Sequence, residues 1–410
     1  MTNIKYTNRK LNNLTSTKRA LEIILNQPEN FGVEEIPFLE SLGRILKENV
    51  FADRDLPPFD RVSMDGIAFS FDAFKSGLRE FKIEGIQAAG SEQIGLQNPN
   101  NCIEAMTGAV LPKNTDVIVQ YELLDIKNGM AKVNLDTVNF FQNIHKKSLD
   151  RKAGDLLIKK NVLISSAEIG VLATVGKSQV MVAKQPKVMI ISTGNELVEV
   201  NQTPKNHQIR RSNVYALVSL LKRLNIVAET AHIQDDKETL KNKIEKYINT
   251  YDVLLFSGAV SKGKFDFIPE VLDDLGVEKR FHKVAQRPGK PFWFGKKNHK
   301  TIFAFPGNPV STFVSCLKYF YPWYQKSMGI NYKNKNFAVL SEDFSFAPNI
   351  TYFLQVHVEN KNGTLFASPI KGKGSGDLAN LADADAFLEL PADRSNFAKG
   401  AVFPILNYRI

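Results

Sequence analysis

Four short loops suited to anion binding follow four apolar runs in the middle of the chain. Glycine lets a backbone approach a ligand without a Cβ in the way. Helix amino termini beside such loops offer free N–H groups and a partial positive charge. One such loop indicates only a tight turn, but four at consecutive strand ends favour a site for phosphate. The loops are Thr193-Gly194-Asn195-Glu196, Asp235-Asp236, Ser257-Gly258-Ala259 and Pro306-Gly307-Asn308-Pro309.

Basic and acidic side chains accompany these loops. Lys283, Arg287 and Lys290 are spaced around a Pro-Gly turn, where a loop could direct all three at one anion, although an exposed basic turn is the alternative. The carboxylates of Glu196, Asp235, Asp236 and Asp266 would oppose an anion unless a cation intervened. The set therefore predicts Mg²⁺-assisted phosphate chemistry, with the metal held by Glu196, Asp235 and Asp266. Asp235 and Asp236 are alternatively helix caps.

Alternating strand and helix patterns position these residues. Between residues 186 and 326, short apolar runs alternate with segments of helical periodicity, which predicts parallel strands joined by right-handed crossovers. Ligands of such sheets bind beyond the carboxyl ends of the strands. The loops above follow those ends, so we expect them to line one crevice.

The flanking regions have a different texture. Helical spacing predicts one helix after Leu14 and a second from about Ile36 to Leu46. Short apolar runs broken by Gly, Pro and Asn predict β structure up to about Ser148 and again in the last seventy residues. We expect a discontinuous N-terminal domain (8–52 and 149–185), a β-rich domain (53–148), an α/β domain (186–328) and a C-terminal β domain (335–410).

Length and composition exclude several classes of protein. A chain of 410 residues is expected to form several domains. Its net charge of +10 comes from scattered Lys and Arg without a nucleic-acid-binding signature. The two cysteines, Cys102 and Cys316, form no disulfide or zinc pattern and are expected to be buried thiols. No signal core or long apolar stretch is present, so we expect a cytoplasmic protein with no membrane and no nucleic-acid partner.

Taken together, ordered motifs along the whole chain resemble the MoeA family of molybdopterin molybdenumtransferases. A single Pro-Gly-Asn-Pro would be a weak signal, but nine ordered segments are specific. They are Asp55-Leu56-Pro57 through Ser63-Met64-Asp65-Gly66, Met106-Thr107-Gly108-Ala109, Asp150 to Asp155, Ser192 to Leu197, Ser257 to Ser261, Gly263-Lys264-Phe265-Asp266, Arg287 to Pro291, Pro306 to Ser311, and Gly374 to Leu378.

The resemblance implies a fold and a reaction. The fold is multidomain α/β plus β, with a central three-layer, parallel-sheet domain that binds molybdopterin, a β-rich second domain, a small mixed N-terminal domain and a β-barrel-like C-terminal domain. Family members act as L-shaped homodimers on adenylylated molybdopterin and molybdate with Mg²⁺, and release AMP. A molybdopterin adenylyltransferase is an expected partner.

The resemblance also assigns residues. Asp65 and Thr107, which spacing alone indicates only as turns, become site residues contributed across the dimer. Other positions that match functional residues of the family are Asp150, Glu196, Asp235, Asp266, Lys283, Arg287, Pro306, Pro309 and Ser375. The chain departs from the family pattern at Asn195, Ala259, Gln355 and His145-Lys146-Lys147.

Two other functions remain open from the sequence. The first is a non-catalytic binding or scaffold protein on the same fold, against which the retained acids argue. The second is an enzyme that acts on a different nucleotide or pterin phosphate, without molybdenum.

Overall fold

The computed structural model describes residues 14–260, 266–330, 336–370, 372 and 374–409. By its internal contacts the chain divides into two compact units. The first takes residues up to 35, 43–47 and 181 onward, and the second takes 36–42 and 48–180. The motif residues Ser261 and Gly263 to Phe265 lie outside the described residues, as do the ends of the predicted domains at 8–13 and 335. The four-domain boundaries stay a prediction.

A six-stranded sheet flanked by helices forms the centre of the first unit, in the order β2-β1-β3-β6-β5-β4. The strands are β1 (Val188–Thr193), β2 (Ala228–Ile233), β3 (Val253–Ser257), β4 (Glu278–His282), β5 (Trp293–Lys297) and β6 (Lys300–Phe305). The helices are α1 (Ser212–Lys222), α2 (Lys237–Thr250), α3 (Ile268–Asp274), α4 (Pro309–Ser315) and α5 (Tyr321–Ser327), with a π-helical turn at Cys316–Phe320.

Four of the strands confirm the predicted parallel pairing, whereas β4 and β5 run antiparallel to their neighbours. Strand β5 is joined to β6 by a turn of only two residues, Asn298 and His299, too short for the crossover that parallel pairing requires. The sheet is therefore parallel at the strands that carry the predicted loops and antiparallel at one edge.

Side-chain alternation along β1 builds a three-layer domain. Val188 and Ile190 belong to the core under α1, with Val214 and Leu217. Met189 and Ile191 point to the opposite core, which contains the buried face of α2. Because successive strand residues face opposite sides, a strand covered by helices on both faces must be apolar throughout. The residues of β1 are all buried.

A second β-sheet occupies the second unit. It has six strands in mixed pairing, in chain order Gly66–Phe69, Glu80–Gln87, Cys102–Ala105, Val117–Gln120, Leu124–Lys127 and Met130–Val133. Shorter strands span Val50–Phe51, Arg61–Val62, Ile144–His145 and Leu156–Ile158, and the helices are Phe71–Lys75 and Ser166–Thr174, with 3₁₀ turns at Phe38–Ser41 and Tyr121–Leu123. The expectation of a β-rich region here is confirmed.

The C-terminal region forms a closed sheet. Its strands are Phe337–Leu340, Thr351–Lys361, Thr364–Pro369, Ala386–Leu390 and Val402–Asn407, with a small pair at Phe344–Ser345 and Asn396–Phe397 and a helix at Asn380–Asp383. Thr351–Lys361 pairs with both Thr364–Pro369 and Ala386–Leu390, which closes the ring. The short strand Gln286–Arg287 also pairs with Thr351 and Tyr352. This segment therefore leaves the α/β sheet to join the C-terminal one.

The second N-terminal helix is a wrong prediction. Thr17–Leu25 is a helix, but Val33–Pro37 is a strand and only the single turn Phe38–Ser41 follows. Leu39 and Leu42, which have helical spacing, are 69 % and 54 % exposed. Their side chains are not packed in a core that would stabilise a longer helix. Gly43 adopts a positive φ of 74°, which ends the turn. Strand Gln179–Ala183 and the short pair Leu197–Val198 and Ile209–Arg210 complete the elements.

Two further expectations concern single residues and helices. Cys102 and Cys316 are buried free thiols, as predicted, and burial raises the pKa of the Cys102 thiol to about 12. Within the part of the chain that the structure describes, no helix is long and apolar enough to cross a bilayer.

Candidate functional site

A cavity of about 740 Å³ opens at the carboxyl ends of β1, β3 and β6. Of the loops predicted at these three strand ends, all residues but Asn195 line its wall, among them Thr193, Gly194, Ser257, Gly258, Pro306, Gly307, Asn308 and Pro309. Parallel neighbours end at the same edge of a sheet, so loops far apart in sequence meet there.

Direct contacts hold these loops together. The Gly258 N–H donates to the Phe305 carbonyl at 3.1 Å. The Asn213 Nδ2 amide donates to Ser257 Oγ at 2.9 Å and to the Gly307 carbonyl at 2.7 Å. A Cβ placed on Gly307 would lie 3.6 Å from Gly258 Cα. Asn213 therefore connects the loops after β3 and β6, a role that the sequence prediction missed.

Gly194 makes room for the carboxylate of Glu196. Its φ is +135°, and a Cβ at this position would lie 2.5 Å from Glu196 Oε2. Glu196 thus folds back over the end of β1 and lines the cavity. Ala259, where the sequence departs from the family pattern, also lines the cavity and takes a positive φ of 53°, a conformation that glycine adopts more readily.

Asp235 and Asp236 have different roles, although they are adjacent. Asp236 caps α2, because its Oδ1 accepts the Thr239 N–H at 2.7 Å. Asp235 lines the cavity with Glu196 and Asp266. Burial raises the pKa of Asp235, and the negative charges of Glu196 and Asp266 add to the shift. The helix-cap alternative is therefore correct for Asp236, whereas Asp235 belongs to the cavity wall.

The carboxylates are compatible with Mg²⁺ but do not enclose it. Among the described residues, no group of three or more His, Cys, Asp or Glu side chains is arranged as a metal site. Mg²⁺, however, is usually held by one or two carboxylates together with substrate phosphates and water. Burial raises the pKa of Asp235, as do the negative charges of Glu196 and Asp266, and a cation bound beside it would favour the ionised form. The oxygen donors of this wall therefore fit a metal that arrives with a phosphorylated ligand.

The sequence prediction also missed a buried arginine. Arg211 lines the cavity, is only 6 % exposed, and pairs through its Nη1 with Glu199. It stands immediately before α1, in the cap position of the helix. The adjacent pair Arg210-Arg211 before an apolar helix was the available signal.

Arg287 and Ser375 lie at a second, smaller cavity of about 250 Å³. Gln355, another departure from the family pattern, lines it too, and its buried Nε2 has no hydrogen-bond partner. Ser375 Oγ accepts the Asn308 Nδ2 amide at 2.7 Å, which connects this cavity to the loop of the larger one. Lys283 and Lys290 line neither cavity. The three basic residues are thus not gathered around one cavity.

The second unit holds Asp65, Thr107 and Asp150. Asp65 Oδ1 accepts the Thr107 N–H at 2.6 Å, and this bond, with a second from the Thr107 side chain, lowers the pKa of Asp65. Asp150 Oδ1 lies 3.0 Å from His145 Nε2. Within this unit the structure joins Asp65 to Thr107 and gives Asp150 a different partner.

These features define a class of protein. The chain is a multidomain α/β and β protein whose central domain has a cavity beyond the carboxyl ends of parallel strands, lined by glycine-rich loops and three carboxylates. Three family models match it in order: the MoeA N-terminal region (domain I and II) over residues 15–176, a probable molybdopterin binding domain over 189–326, and the MoeA C-terminal region (domain IV) over 338–408.

Full-length relatives agree. A molybdopterin molybdenumtransferase from Synechocystis sp. is 40 % identical over 396 residues, which is 95 % of this chain and 99 % of the relative. One from Staphylococcus epidermidis is 30 % identical over 398 residues, 95 % of each chain. Two solved MoeA structures from Pyrococcus horikoshii have TM-scores of 0.81 and 0.82 at 31 % and 27 % identity, and cover 96 % of this chain and 99 % and 100 % of their own. The chain belongs to the MoeA family of molybdopterin molybdenumtransferases, which confirms the resemblance found in its motifs.

Proposed function

We propose that this chain is a transferase that inserts molybdenum into molybdopterin during molybdenum cofactor biosynthesis. Its substrates are adenylylated molybdopterin and molybdate, and Mg²⁺ is the cofactor. The reaction releases AMP and leaves molybdenum on the dithiolene of the pterin. We place it in the cytoplasm, where free thiols such as Cys102 and Cys316 stay reduced.

One observation carries the proposal: three carboxylates and a wall of glycine-rich loops face the same cavity. Glycine backbones and helix amino termini suit phosphate oxygens, and the side chains of Glu196, Asp235 and Asp266 suit a divalent cation. A phosphoanhydride substrate requires both, because its phosphate oxygens must be bound by hydrogen-bond donors and their negative charge must be neutralised during cleavage.

The loops of the three strand ends bind and orient the phosphorylated substrate. A phosphate can approach the backbone at Gly194, Gly258 and Gly307 closely, because these residues line the cavity and have no side chain in the way, although the Gly258 N–H itself bonds the Phe305 carbonyl. Cleavage of a phosphoanhydride depends mainly on positioning and on charge stabilisation. A rigid wall that fixes the phosphates would therefore make a large contribution to the rate.

The acidic side chains complete the mechanism. Glu196, with Asp235 or Asp266, would hold Mg²⁺ and orient a water molecule toward the anhydride phosphorus. Bound there, Mg²⁺ would neutralise charge on the phosphate oxygens. Asp235 would be ionised in this role, because a bound cation would offset the burial and the repulsion that raise its pKa.

A homodimer would complete the site. We assign Asp65 and Thr107 to the site formed with the neighbouring subunit, as the family resemblance implies. The Thr107 hydrogen bond fixes the Asp65 carboxylate in one orientation, which suits a group that must meet a substrate held by another chain. A molybdopterin adenylyltransferase, which would supply the adenylylated substrate, is the proposed partner enzyme.

The test measures AMP release from adenylylated molybdopterin with and without molybdate. We expect Mg²⁺-dependent AMP release that molybdate accelerates, with molybdenum recovered on the pterin. A scaffold protein would release no AMP, and an enzyme for another phosphate would release it without molybdenum transfer. Wild-type rates in Glu196→Ala and Asp266→Ala proteins would refute the assignment of these acids.

A further inference from the structure

Helix α1 begins at the cavity without a cap. It has 11 residues, and its cap position is occupied by Arg211, whose side chain makes no capping hydrogen bond. No acidic residue lies in its first turn. Ser212, Asn213 and Val214, which supply the first free N–H groups, all line the cavity. A helix amino terminus in this state attracts an anion, because its N–H groups are unpaired and its dipole is positive there.

Unpartnered buried polar atoms lie on the same wall. Among the described side chains, Thr193 Oγ1, Arg211 Nε and Asn213 Oδ1 are buried atoms with no hydrogen-bond partner, and all three residues line the cavity. Thr193 and Arg211 are only 5 % and 6 % exposed. Buried polar groups normally have partners, so orphaned ones beside a cavity indicate contacts that a ligand makes. The Thr193 hydroxyl and the Arg211 Nε–H can each donate a hydrogen bond to an oxyanion.

Arg211 forms an ion pair whose carboxylate partner is partly exposed to solvent. Its Nη1 bonds Glu199, whose side chain is 46 % exposed, and its Nη2 reaches the Ala231 carbonyl only at 3.5 Å. Tyr215 donates to the other oxygen of Glu199 at 3.3 Å. The guanidinium therefore keeps donors for a second anion, and a planar guanidinium suits phosphate geometry.

One carboxylate and one histidine lie near Arg211, and the exposed Arg210 also lines the cavity. Glu199 is the carboxylate paired with it, and His232 lies on the neighbouring strand, with its Nδ1 3.1 Å from Ser192 Oγ. Burial lowers the pKa of His232, and the positive charge of Arg211 lowers it further. The lowered pKa disfavours a second positive charge on His232 beside Arg211.

We infer that the amino terminus of α1, together with Arg211 and Thr193, forms a subsite for a phosphate monoester within the main cavity. This inference rests on the proposed function and deepens it, because it names a place for one phosphate of the substrate apart from the carboxylate wall. In it Arg211 is a ligand-binding residue, and Glu199 is a positioning residue that orients the guanidinium.

The experiment measures binding of inorganic phosphate, AMP and molybdate to the full chain by calorimetry, in Mg²⁺ and 0.15 M salt. Arg211→Ala is expected to weaken phosphate and AMP binding by about 10- to 100-fold, the effect of losing a charge-assisted contact. Lys222→Ala is the matched control, since Lys222 is an exposed cation in the last turn of α1, away from the cavity wall. It should change both affinities less than about threefold.

Glu199→Gln separates binding from a structural role. Freed from its carboxylate, Arg211 should bind phosphate more tightly, by about three- to tenfold, even if the melting temperature falls. A merely structural ion pair would give weaker or unchanged binding in this variant. Arg211→Lys, which keeps the charge, should retain part of the affinity and serves as the test if Arg211→Ala does not fold.

Other outcomes would overturn the inference. Equal losses in Arg211→Ala and Lys222→Ala would indicate only a general effect of positive charge on anion binding. A loss confined to molybdate would make this a molybdate subsite. Failure of the proposed function looks different, since wild-type protein would then bind phosphate through Arg211 but release no AMP from adenylylated molybdopterin.

Discussion

Asp235 in the α/β domain and Asp65 in the β-rich unit are both predicted catalytic acids, but their surroundings are opposite. Asp235 is part-buried beside two other acidic residues, and its pKa is raised by burial and by their charges. Asp65 accepts hydrogen bonds from the backbone and side chain of Thr107, which lower its pKa. A backbone hydrogen bond from Asn195 only partly offsets the raised pKa of Asp235, whereas the hydrogen bonds to Asp65 outweigh the effect of its desolvation.

The difference indicates a division of labour. A carboxylate that is destabilised in its ionised form gains most from a cation, so Asp235 suits Mg²⁺. A carboxylate fixed by donors stays ionised and keeps one orientation, so Asp65 suits positioning of a substrate or of molybdate. Each of the following experiments tests this contrast.

The largest effect is expected from removing the carboxylate of Asp235. Asp235→Ala should slow AMP release by about 100-fold or more, the scale of one lost electrostatic contact at a transition state. Asp236→Ala is the matched control, because Asp236 only caps α2. It should cost about 1 kcal/mol of stability and leave the rate of AMP release nearly unchanged. Equal rates in the two variants would contradict the separate roles.

Complementation tests the role of Asp65 across a dimer. Asp65→Ala and Glu196→Ala proteins should each be inactive alone. Mixed and allowed to exchange subunits, they should recover about a quarter of wild-type activity, since half of the dimers would be mixed and each would have one intact site. No recovery, with subunit exchange verified by native mass spectrometry, would place Asp65 and Glu196 in the same chain's site or outside it.

Gly194 links backbone conformation to the acidic wall. Gly194→Ala should displace the Glu196 carboxylate, whose Oε2 lies 2.5 Å from the added Cβ, and lower AMP release about tenfold or more. Gly276→Ala is the control, because Gly276 also has a positive φ but nothing lies within 4 Å of its Cβ. Both variants should lose about 1 kcal/mol of unfolding free energy. Equal activity would show that Glu196 does not depend on this turn.

Thermal stability against pH provides the finest test. In Mg²⁺-free buffer at neutral pH, Asp235→Asn should melt slightly higher than wild type. A raised pKa means that ionisation is costly in the folded protein, so stability is lost as pH rises through that pKa. Asp65→Asn should melt lower, because a lowered pKa means that the ionised form stabilises the fold above the unfolded pKa. Both differences should shrink on acidification, and shifts of the same sign would contradict the contrast.

Much of the fold follows from sequence pattern. The apolar runs of β1, β3 and β6 can only be strands covered on both faces, and the glycine-rich segments after them must then meet at one edge. The predicted helix from Ile36 to Leu46 failed because helical spacing is necessary but not sufficient. The side chains of Leu39 and Leu42 are exposed instead of packed in a core, and Gly43 ends the turn with its positive φ.

Residue types and order along the chain determined the family, the α/β domain and the cluster of loops at the strand ends, since these depend on local pattern and on parallel pairing. Only the tertiary structure separated Asp235 from the helix cap Asp236, buried Arg211 at the cavity, and carried Arg287 away to the C-terminal sheet. Such placements depend on which distant strand or helix each side chain packs against. The spacing of residues along the chain does not specify these long-range contacts.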